Sequence, residues 1–318
     1  MVTDRQLRRS KAIQQQTGRT FHFATRLLPE RVRHSTYVLY AFFRVADEVV
    51  DGADDLPPED QRERLERLRA EALGHSETDD PILAAFDEMR ESHAIPPDEI
   101  ETFLDAMATD IDKSRYDSYD ELESYVRGSA AAVGVMMQAV MGVEDPDRAR
   151  PHAVALGEAF QLTNFLRDVR EDIRDHDRIY LPGTTRERHG VTEAEIRRCE
   201  PTEGFRAAMA EELRRAERKY REGVAGIQYL PEDCQFAVLY AAVLYAEYHR
   251  LIRARDYDVL TSPPELSAVR SGWLWVRTRW HWQWSNDPET VFREVSAVPE
   301  GDEPPESAEI PGGTPQME

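Results

Sequence analysis

Apolar residues recur every three or four positions along nearly the whole chain, and no sustained alternation of apolar and polar residues interrupts them. This spacing places apolar side chains on one face of an α-helix, whereas alternation would indicate a half-buried strand. Prolines near first turns and turn-rich stretches mark the ends of the predicted helices. The predicted helices cover residues 31–51, 58–73, 81–92, 97–109, 119–141, 151–174, 204–229, 231–255 and 264–284. The pattern predicts an all-α fold.

The organisation of the chain is that of one domain followed by a short tail. No repeat at solenoid periods and no linker-like stretch divides the interior of the sequence. From Ser296 onward the composition changes to Pro, Gly and Glu without Lys or Arg, and such a segment buries too little apolar surface to order itself. We therefore predict a single helical domain over residues 1–295 and a disordered acidic tail over residues 296–318.

The charge balance excludes one broad class of partner. Asp and Glu number 61 against 40 Lys and Arg, and the resulting net charge of −21 disfavours binding to a nucleic-acid backbone. Nearly all of the positive charge is arginine, because Lys11, Lys113 and Lys219 are the only lysines. An acidic surface of this kind stays hydrated in concentrated salt. We expect a salt-adapted protein with no nucleic-acid partner.

Neither the N-terminus nor any interior run predicts export or membrane spanning. The basic residues near the N-terminus precede no apolar segment of the kind found in secretory signals. The longest apolar run, residues 236–245, falls well short of the ~20 residues that a membrane-spanning helix needs. Cys199 and Cys234 form no CxxC or zinc-ligand pattern. These features predict a cytoplasmic protein with plain thiols.

The tryptophans form one segment that permits two interpretations. All five lie between Trp273 and Trp284, interleaved with Arg277, Arg279 and His281. A mixture of Trp and Arg is typical of a helix at the membrane interface. An aromatic cluster of this size also packs well in a protein core. The sequence therefore leaves open a peripheral contact with the inner membrane face and a cap on the hydrophobic core.

Two predicted helices carry a row of polar residues on an otherwise apolar face. Spacings of three and four residues place each row along one side of its helix. The first polar stripe consists of Tyr40, Arg44, Asp47 and Asp51. The second polar stripe consists of Gln161, Asn164, Asp168 and Asp172. The matching spacing predicts that the two stripes face each other.

Each stripe ends in two aspartates four residues apart, an arrangement that costs an isolated helix about 0.2–0.5 kcal/mol. Phe42 and Phe43 flank the first pair, and Phe165 and Leu166 flank the second, so burial adds to this cost unless a cation compensates. Mg²⁺ prefers hard oxygen ligands and is typically held by one or two carboxylates together with phosphate oxygens. The stripes therefore predict a Mg²⁺ site, in which Mn²⁺ can substitute, with a diphosphate as the bridging ligand.

Arg44 and Arg167 lie within one turn of these acids. A guanidinium binds diphosphate oxygens in a bidentate manner, but it also forms structural salt bridges with aspartates. The sequence favours the substrate role and leaves the structural role open. A third segment, residues 125–140, is apolar and rich in small residues, which suits a lined channel or tight helix packing. We favour packing for it.

The residues around the stripes resemble the squalene/phytoene synthase family, from about Thr20 to about Val259. The first aspartate-rich region of the family resembles TFHFATRLLPERVRHSTYVLYAFFRVADEVVD. The second resembles ALGEAFQLTNFLRDVREDIRDHDRIYLP, with Arg178 in its trailing block. The region that holds a tyrosine near the reacting carbons resembles YDSYDELESYVRGSAAAVG, and a late family motif resembles RARDYDVL. Thr20 and His22 stand where serines are usual in the family, and VRGSAAAVG departs from the sequence that is typical of the family at this position.

The resemblance implies an isoprenoid-synthase helical bundle around a central active-site cavity, in which Mg²⁺ holds the diphosphates of two prenyl substrates. The metal ligands it implies are Asp47, Asp51, Asn164, Asp168 and Asp172. The residues it places near the diphosphates are Thr20, Arg44, Gln161, Asn164 and Arg167. The aromatic residues it implies, for stabilising carbocations or handling the departing proton, are Tyr40, Tyr125 and Tyr180.

Within the family, ATRLLP, QLTNFLRDVRED and RIYLP are more similar to phytoene synthases than to squalene synthases. This similarity implies head-to-head condensation of two geranylgeranyl diphosphates, through the cyclopropyl prephytoene diphosphate, to phytoene in carotenoid biosynthesis. Thr25 is small where shorter-chain relatives carry bulk, which leaves room for a twenty-carbon chain. The alternative is a squalene or dehydrosqualene synthase acting on farnesyl diphosphate, with NADPH only for squalene. Outside catalysis, the alternative is an acidic helical scaffold protein.

Overall fold

The computed structural model describes residues 24–51 and 56–301 of the chain. Over these ranges the structure is helical, and its single β-bridge pairs Arg115 with Ile179. The first helices are α1 Glu30–Asp51, α2 Pro58–Ala72, α3 Pro81–Ser92, α4 Pro97–Thr109, α5 Tyr119–Val126, α6 Ala132–Met141 and α7 Pro146–Asp175. The remaining helices are α8 Gly183–Arg188, α9 Glu193–Arg197, α10 Glu203–Val224, α11 Glu232–Ala254, α12 Ala268–Ser285 and α13 Pro288–Val295. The predicted all-α class is confirmed.

Proline at the first turn locates several helix starts correctly. Helices α3 and α4 have the predicted boundaries at both ends. Helix α7 begins five positions before the predicted start at Pro151, which lies inside the helix. Asp145 determines the earlier start, because its side chain accepts a hydrogen bond from the Arg148 N–H at 3.2 Å and Pro146 follows it.

Three helices were not predicted from the sequence. Helices α8 and α9 contain six and five residues, too few for a hydrophobic period to be recognised. Helix α9 nevertheless has a full capping box between Thr192 and Glu195, and Asp287 caps α13 just before a proline. Capping signals were therefore present where the periodicity was too short to read.

The predicted helix over residues 119–141 is interrupted by a π-helical turn, Arg127–Ala131, between α5 and α6. At Gly128 an added Cβ would lie 2.6 Å from the Ala106 Cβ, so only glycine permits this approach to α4. Glu99 on α4 is fully buried and accepts two hydrogen bonds from the Arg127 guanidinium at 2.8 and 2.9 Å. Close backbone approach and a buried ion pair thus fix the π turn in place.

Helix α7 is the longest helix described and lies between two hydrophobic cores. The larger core joins its C-terminal half to α1 through α6 and includes Phe42 and Phe103. The smaller core joins its N-terminal half to α10, α11, α12 and α13 and includes Tyr220 and Phe292. One face of α7 is left between the cores, and a cavity lies against it.

The packed chain continues past the predicted domain boundary at residue 295. Val298 is buried, and the carbonyl oxygens of Ala297 and Pro299 accept hydrogen bonds from Arg253 and Arg221. The rest of the predicted tail, residues 302–318, lies outside the described residues. Among the described helices, none is both long and apolar enough to cross a bilayer.

Candidate active site

Helix α1 presents the first polar stripe because its opposite face is buried. Phe42 is fully buried and stacks on Phe86, with their ring centroids 3.9 Å apart. Tyr40, Arg44 and Asp47 lie on the other side and line the cavity. The Arg44 Nη1 donates to the Asp47 carboxylate at 3.2 Å, while the Arg44 Nε is buried without a hydrogen-bond partner.

Helix α7 presents the second polar stripe to the same cavity. Gln161 and Asn164 line it, and the Asn164 amide donates to the Gln161 side-chain oxygen at 3.4 Å. Arg167 also lines the cavity, lies 4.9 Å from the centroid of the Tyr248 ring and donates from Nε to Asp168 at 2.6 Å. The two stripes therefore meet at one cavity, as their spacing predicted.

The remaining aspartates of the stripes, Asp51, Asp168 and Asp172, lie beyond the cavity lining, and Arg178 connects Asp51 with Asp172. Its side chain lies 2.9 Å from the Asp51 carboxylate and donates to the Asp110 carbonyl at 3.2 Å. Its backbone N–H donates to the carbonyl of Asp172 at 2.9 Å. Arg178 lies outside both polar stripes, so the spacing of polar residues predicted no role for it.

Burial and like charges raise the pKa values of two stripe carboxyls. Burial chiefly raises the pKa of Asp47 to about 6, with a further contribution from Asp51, despite the opposing charge of Arg44. Burial, Asp168 and Glu171 raise the pKa of Asp172 to about 8. Near neutral pH Asp172 therefore holds a proton, whereas Asp47 is largely ionised but takes up a proton more readily than an ordinary aspartate, and a bound cation would favour the charged form of both. This is the electrostatic condition of a site suited to a metal ion.

The donor set fits Mg²⁺ bound together with a phosphate ligand. In the described part of the chain, no three His, Cys, Asp or Glu side chains are grouped closely enough to hold a metal by themselves. Mg²⁺ does not require such a group, because one or two carboxylates, water and substrate phosphate complete its octahedron. The stripes offer carboxylate and amide oxygens, with guanidinium groups beside them for phosphate.

Asp110, at the end of α4, is a further buried acid that the sequence analysis missed. It accepts a hydrogen bond from the Tyr125 hydroxyl at 2.8 Å, and its other carboxylate oxygen is buried without a partner. Burial chiefly raises its pKa to about 7, and Asp51 and Asp47 contribute. The sequence gave no local signal for it, because Asp110 belongs to no stripe and is brought to the site by the fold.

Tyr125 and Tyr180 form an aromatic stack beside this acid and are not part of the cavity lining. The Tyr180 ring lies 3.7 Å from that of Phe165, and the Tyr125 and Tyr180 rings are 6.0 Å apart. Burial raises the pKa of both phenols above the usual value. The fold therefore divides the three predicted tyrosines, because Tyr40 lines the cavity and the other two lie near Asp110 and Arg178.

The cavity has a volume of about 620 Å³, within the range of ligand sites, and the stripes form its polar end while mainly apolar residues line the rest of its length. From Asn164 to Ala149 it follows α7 for about 22 Å, at 1.5 Å per residue. Its apolar walls include Leu28, Leu39, Phe43, Val133, Met137, Met141, Leu156, Ile227, Leu230 and Val238. The shape suits a long hydrocarbon with a charged head.

Small residues at the cavity serve both packing and lining. Thr25 is buried and contributes to the wall together with Ala24 and Leu28. At Gly134 an added Cβ would lie 2.4 Å from the Ala153 carbonyl oxygen, so glycine lets α6 and α7 touch along the cavity edge. The tight packing favoured for residues 125–140 is therefore confirmed at Gly128 and Gly134, and the same segment also forms part of the channel wall. Thr20 lies outside the described residues.

A comparison with known protein families identifies the chain. The family model described as squalene/phytoene synthase matches residues 14–270, which is most of the sequence. The chain belongs to the squalene/phytoene synthase family. Its members transfer prenyl groups, so the chain is an enzyme of this type and the scaffold alternative does not hold. Prenyl diphosphate substrates and a divalent metal requirement are consistent with the family.

Curated relatives within the family carry one activity name. A phytoene synthase of Cereibacter sphaeroides is 37% identical over 255 residues, covering 76% of this chain and 70% of the relative. A phytoene synthase of Rhodobacter capsulatus is 33% identical over 263 residues, covering 80% and 75%. A 15-cis-phytoene synthase of Synechocystis is 32% identical over 281 residues, covering 81% and 82%.

Solved structures of the family share the fold. A dehydrosqualene synthase in complex with ligand superposes with a TM-score of 0.79 at 26% identity, covering 88% of this chain and 97% of the other. A squalene synthase from Alicyclobacillus acidocaldarius gives a TM-score of 0.69 at 24% identity, covering 80% and 95%. The predicted isoprenoid-synthase architecture is confirmed by these similarities.

Proposed function

We propose that the protein is a phytoene synthase, which joins two molecules of geranylgeranyl diphosphate head to head. The observation that carries this proposal is the shape of the cavity, whose polar end is formed by both stripes and whose apolar walls continue about 22 Å along α7. The curated relatives described above add support, since all three bear the same activity name.

In this proposal the stripe residues hold Mg²⁺ and the substrate diphosphates. The proposed metal ligands are Asp47, Asp51, Asn164, Asp168 and Asp172. Mg²⁺, or Mn²⁺ in its place, would supply the positive charge that makes diphosphate a good leaving group. The raised pKa values of Asp47 and Asp172 support the choice of ligands, because a cation relieves the cost of ionising buried acids.

The arginines of the site bind substrate oxygens in the proposal. Arg44 and Arg167 line the cavity, and the buried Nε of Arg44 is a donor without a partner. We propose that their guanidinium groups turn from Asp47 and Asp168 to the diphosphates, with Gln161 and Thr20 as further contacts. Placing such donors before the reaction stabilises the negative charge that develops as the bond to diphosphate breaks.

The apolar walls and the tyrosines handle the carbocations. Departure of diphosphate leaves an allylic cation, which the double bond of the second substrate attacks, and ring closure with loss of one proton gives the cyclopropyl diphosphate. This intermediate loses its own diphosphate, and the new cation rearranges and loses a second proton to give phytoene. We propose that the ring face of Tyr40 stabilises cationic carbon in the cavity. The Tyr125 hydroxyl, held by Asp110 and adjoining Tyr180, is proposed to assist the final proton loss. The walls exclude water that would quench the cations.

A dehydrosqualene or squalene synthase acting on farnesyl diphosphate is the second candidate, because the solved dehydrosqualene synthase shares the fold over 88% of the chain. The small Thr25 in the cavity wall favours the longer substrate. NADPH enters only if the product is squalene. We also propose that the enzyme is cytoplasmic and adapted to concentrated salt, as its sequence predicts.

We also propose that the enzyme meets its lipid substrates at the inner membrane face. The support is chemical, since the proposed substrate is amphipathic and the proposed product is a hydrocarbon that water does not dissolve. We propose that this contact involves the segment between Trp273 and Trp284, whose mixture of Trp and Arg is typical of a helix at the membrane interface.

The experiment that tests the proposal incubates the purified protein in high salt with Mg²⁺ and radiolabelled geranylgeranyl diphosphate, with and without NADPH. A parallel reaction contains farnesyl diphosphate, and the lipid products are separated by chromatography. We expect phytoene from geranylgeranyl diphosphate without NADPH. A thirty-carbon product formed only from farnesyl diphosphate would move the assignment to the squalene branch.

A further inference from the structure

One helix carries every large hydrophobic side chain that stands exposed among the described residues. These side chains are Val269, Trp273, Trp275, Val276, Trp280 and Trp284, and all belong to α12. Soluble proteins rarely concentrate exposed apolar surface in one place unless that surface contacts something. This exposed apolar surface contrasts with the acidic character of the chain as a whole, which has a net charge of −21.

Five of these side chains form a single stripe along the helix. Steps of four, three, four and four residues keep Val269, Trp273, Val276, Trp280 and Trp284 on one side of α12 over about 22 Å. We call this row the indole stripe. The opposite side faces the protein, where Leu274 and Thr278 are buried and Trp282 packs near Phe236. Only a small part of the aromatic segment therefore caps the core.

Cationic groups border the indole stripe on both sides. Arg270 and Arg277 lie along one edge, 4.4 and 5.3 Å from the centroid of the Trp273 ring, and Arg279 lies along the other. Arg270 also pairs with Glu247, whereas the described residues supply no carboxylate to Arg277 or Arg279. Helix α12 itself contains no acidic residue. Helix α12 itself is therefore positively charged on an acidic protein, which suits a negatively charged partner.

The combination of indoles and arginines fits a lipid surface better than a second copy of the chain. Indole rings settle at the boundary between headgroups and hydrocarbon, and arginines attract anionic headgroups. A two-fold dimer through α12 would bring the same arginine edges together, whereas an anionic bilayer would place negative headgroups against them. Charge complementarity therefore argues for an anionic bilayer.

The position of α12 also suits delivery of lipids. The Tyr240 hydroxyl on α11 donates to the Ser271 carbonyl on α12 at 2.8 Å, so the two helices pack side by side. The same α11 contributes Ala237, Val238 and Ala241 to the cavity wall. One helix thus separates the indole stripe from the cavity, a relation that bears on activity only if the proposed function is right.

We propose that the indole stripe is the docking surface of the protein for an anionic lipid bilayer, with the helix axis lying in the plane of the interface. The stripe inserts its indoles among the headgroups, and Arg277 and Arg279 contact anionic lipids. Trp275 and Trp282 stay on the protein side. The docked enzyme exchanges its lipids at the bilayer surface without crossing it.

The five tryptophans all belong to α12, so intrinsic fluorescence reports on this helix without a label. The full chain is titrated with vesicles of equal parts phosphatidylglycerol and phosphatidylcholine, and with phosphatidylcholine alone, at low and high salt. We expect a blue shift of Trp emission and co-sedimentation with the anionic vesicles. At low salt the anionic vesicles should bind about tenfold more tightly. High salt should weaken the preference for anionic vesicles and leave the part of the binding that the indoles contribute.

The decisive variant replaces three indoles, Trp273→Gln, Trp280→Gln and Trp284→Gln together, and should lose about tenfold or more of its vesicle affinity. The matched control is Trp275→Gln, which removes an indole from the other side of the same helix and should bind within about twofold of wild type. Circular dichroism checks that each variant is folded. If the triple variant fails to fold, the pair Trp280→Gln and Trp284→Gln, the most exposed indoles, replaces it.

Vesicle binding that is equal in wild type and the triple variant, or absent from wild type, would overturn the proposal. The proposal would also be overturned if wild type were a dimer, the triple variant were a monomer, and vesicles left the Trp emission of wild type unchanged. Turnover of detergent-solubilised geranylgeranyl diphosphate is measured separately and should be equal in both proteins. A wild type that binds vesicles but turns over no substrate would refute the proposed function and leave the docking surface standing.

Discussion

The guanidinium of Arg178 lies 2.9 Å from the Asp51 carboxylate and thereby joins the ends of the two polar stripes. The backbone N–H of Arg178 donates to the Asp172 carbonyl, and its side chain also reaches the Asp110 carbonyl. A parallel bridge between Arg115 and Ile179 holds the neighbouring residue in place. Arg178 therefore sets the position of Asp51 relative to Asp172.

We predict that Arg178→Lys lowers kcat by about a hundredfold and raises the Mg²⁺ concentration needed for half-maximal activity. Lysine keeps the charge, but its side chain is shorter by one bond, so its ammonium does not reach the position from which the Arg178 Nη2 contacts both Asp51 and the Asp110 carbonyl. Steady-state kinetics against Mg²⁺ measure both effects. The matched control is Arg174→Lys, an exposed arginine one turn earlier, which should behave as wild type. Equal kinetics in the two variants would show that Arg178 does not position the stripes.

The buried His249 is expected to make the fold sensitive to acid. Its ring nitrogens lie 2.9 Å from the Thr163 hydroxyl and 3.2 Å from the Glu217 carboxylate. Burial lowers the pKa of His249, and protonating it therefore opposes folding. Burial alone would raise the pKa of Glu217, but His249 and Arg253 lower it overall. Both groups stabilise the fold above their unfolded pKa values, about 6.5 and 4.5, and this stability is lost as the pH falls.

We predict that the free energy of unfolding of wild type falls more between pH 7.5 and 5.5 than that of His249→Gln, because glutamine cannot take up the proton. Urea unfolding at the two pH values measures the difference. The raised pKa values of Asp47, Asp110 and Asp172 favour the fold in acid, but they are shared by both proteins and cancel in the comparison. Parallel pH profiles would contradict a buried neutral histidine.

The ion cluster at the π turn should matter for stability. Glu99 is fully buried on α4 and pairs with both Arg127 and Arg150. We predict that Glu99→Gln lowers the free energy of unfolding by about 2 kcal/mol, less than for a wholly buried pair because water reaches both arginines. Urea unfolding measures this change in the free energy of unfolding. The matched control is Glu101→Gln, which alters an exposed acid on the same helix and should change the free energy of unfolding by less than about 0.5 kcal/mol. Equal effects of Glu99→Gln and Glu101→Gln would contradict the burial of the Glu99 carboxylate.

Thr25 should help to set the length of prenyl chain that the cavity accepts. We predict that Thr25→Phe lowers kcat/KM for geranylgeranyl diphosphate by about tenfold or more and affects farnesyl diphosphate less, because the larger ring fills part of the cavity. Steady-state kinetics with both substrates measure the ratio of kcat/KM for geranylgeranyl diphosphate to kcat/KM for farnesyl diphosphate. Thr25→Ser, which keeps the volume small, should retain the wild-type ratio. An equal loss for both substrates would mean that Thr25 does not border the distal chain.

Local spacing made the two stripes predictable, because residues three and four apart share a helix face in any context. Their matching spacing also predicted that the two stripes face each other, and residues of both line one cavity. Asp110 and Arg178 were not predictable as site residues in the same way, because their partners are distant in sequence. Arg178 reaches Asp51 across 127 positions, through a bridge that no periodicity encodes.

Helix α12 illustrates a second limit of the sequence. Its composition fitted both a core cap and an interface helix, and the choice depended on which side faces α11. The exposure of Trp280 and Trp284, beside the inward Trp282, settles the orientation of each side chain. The π turn was hidden for a similar reason, since it depends on contacts of Gly128 and Arg127 with another helix.

The most direct test of the account is phytoene formation from geranylgeranyl diphosphate by wild type and Asp172→Asn, with Mg²⁺ and with excess chelator. Asp175→Asn, an exposed acid in the last turn of the same helix, serves as the matched control. We expect Mg²⁺-dependent phytoene from wild type and the control, and at least about a hundredfold less from Asp172→Asn with the fold intact. Undiminished turnover by Asp172→Asn, or turnover that survives the chelator, would contradict a metal and diphosphate site built on the two polar stripes.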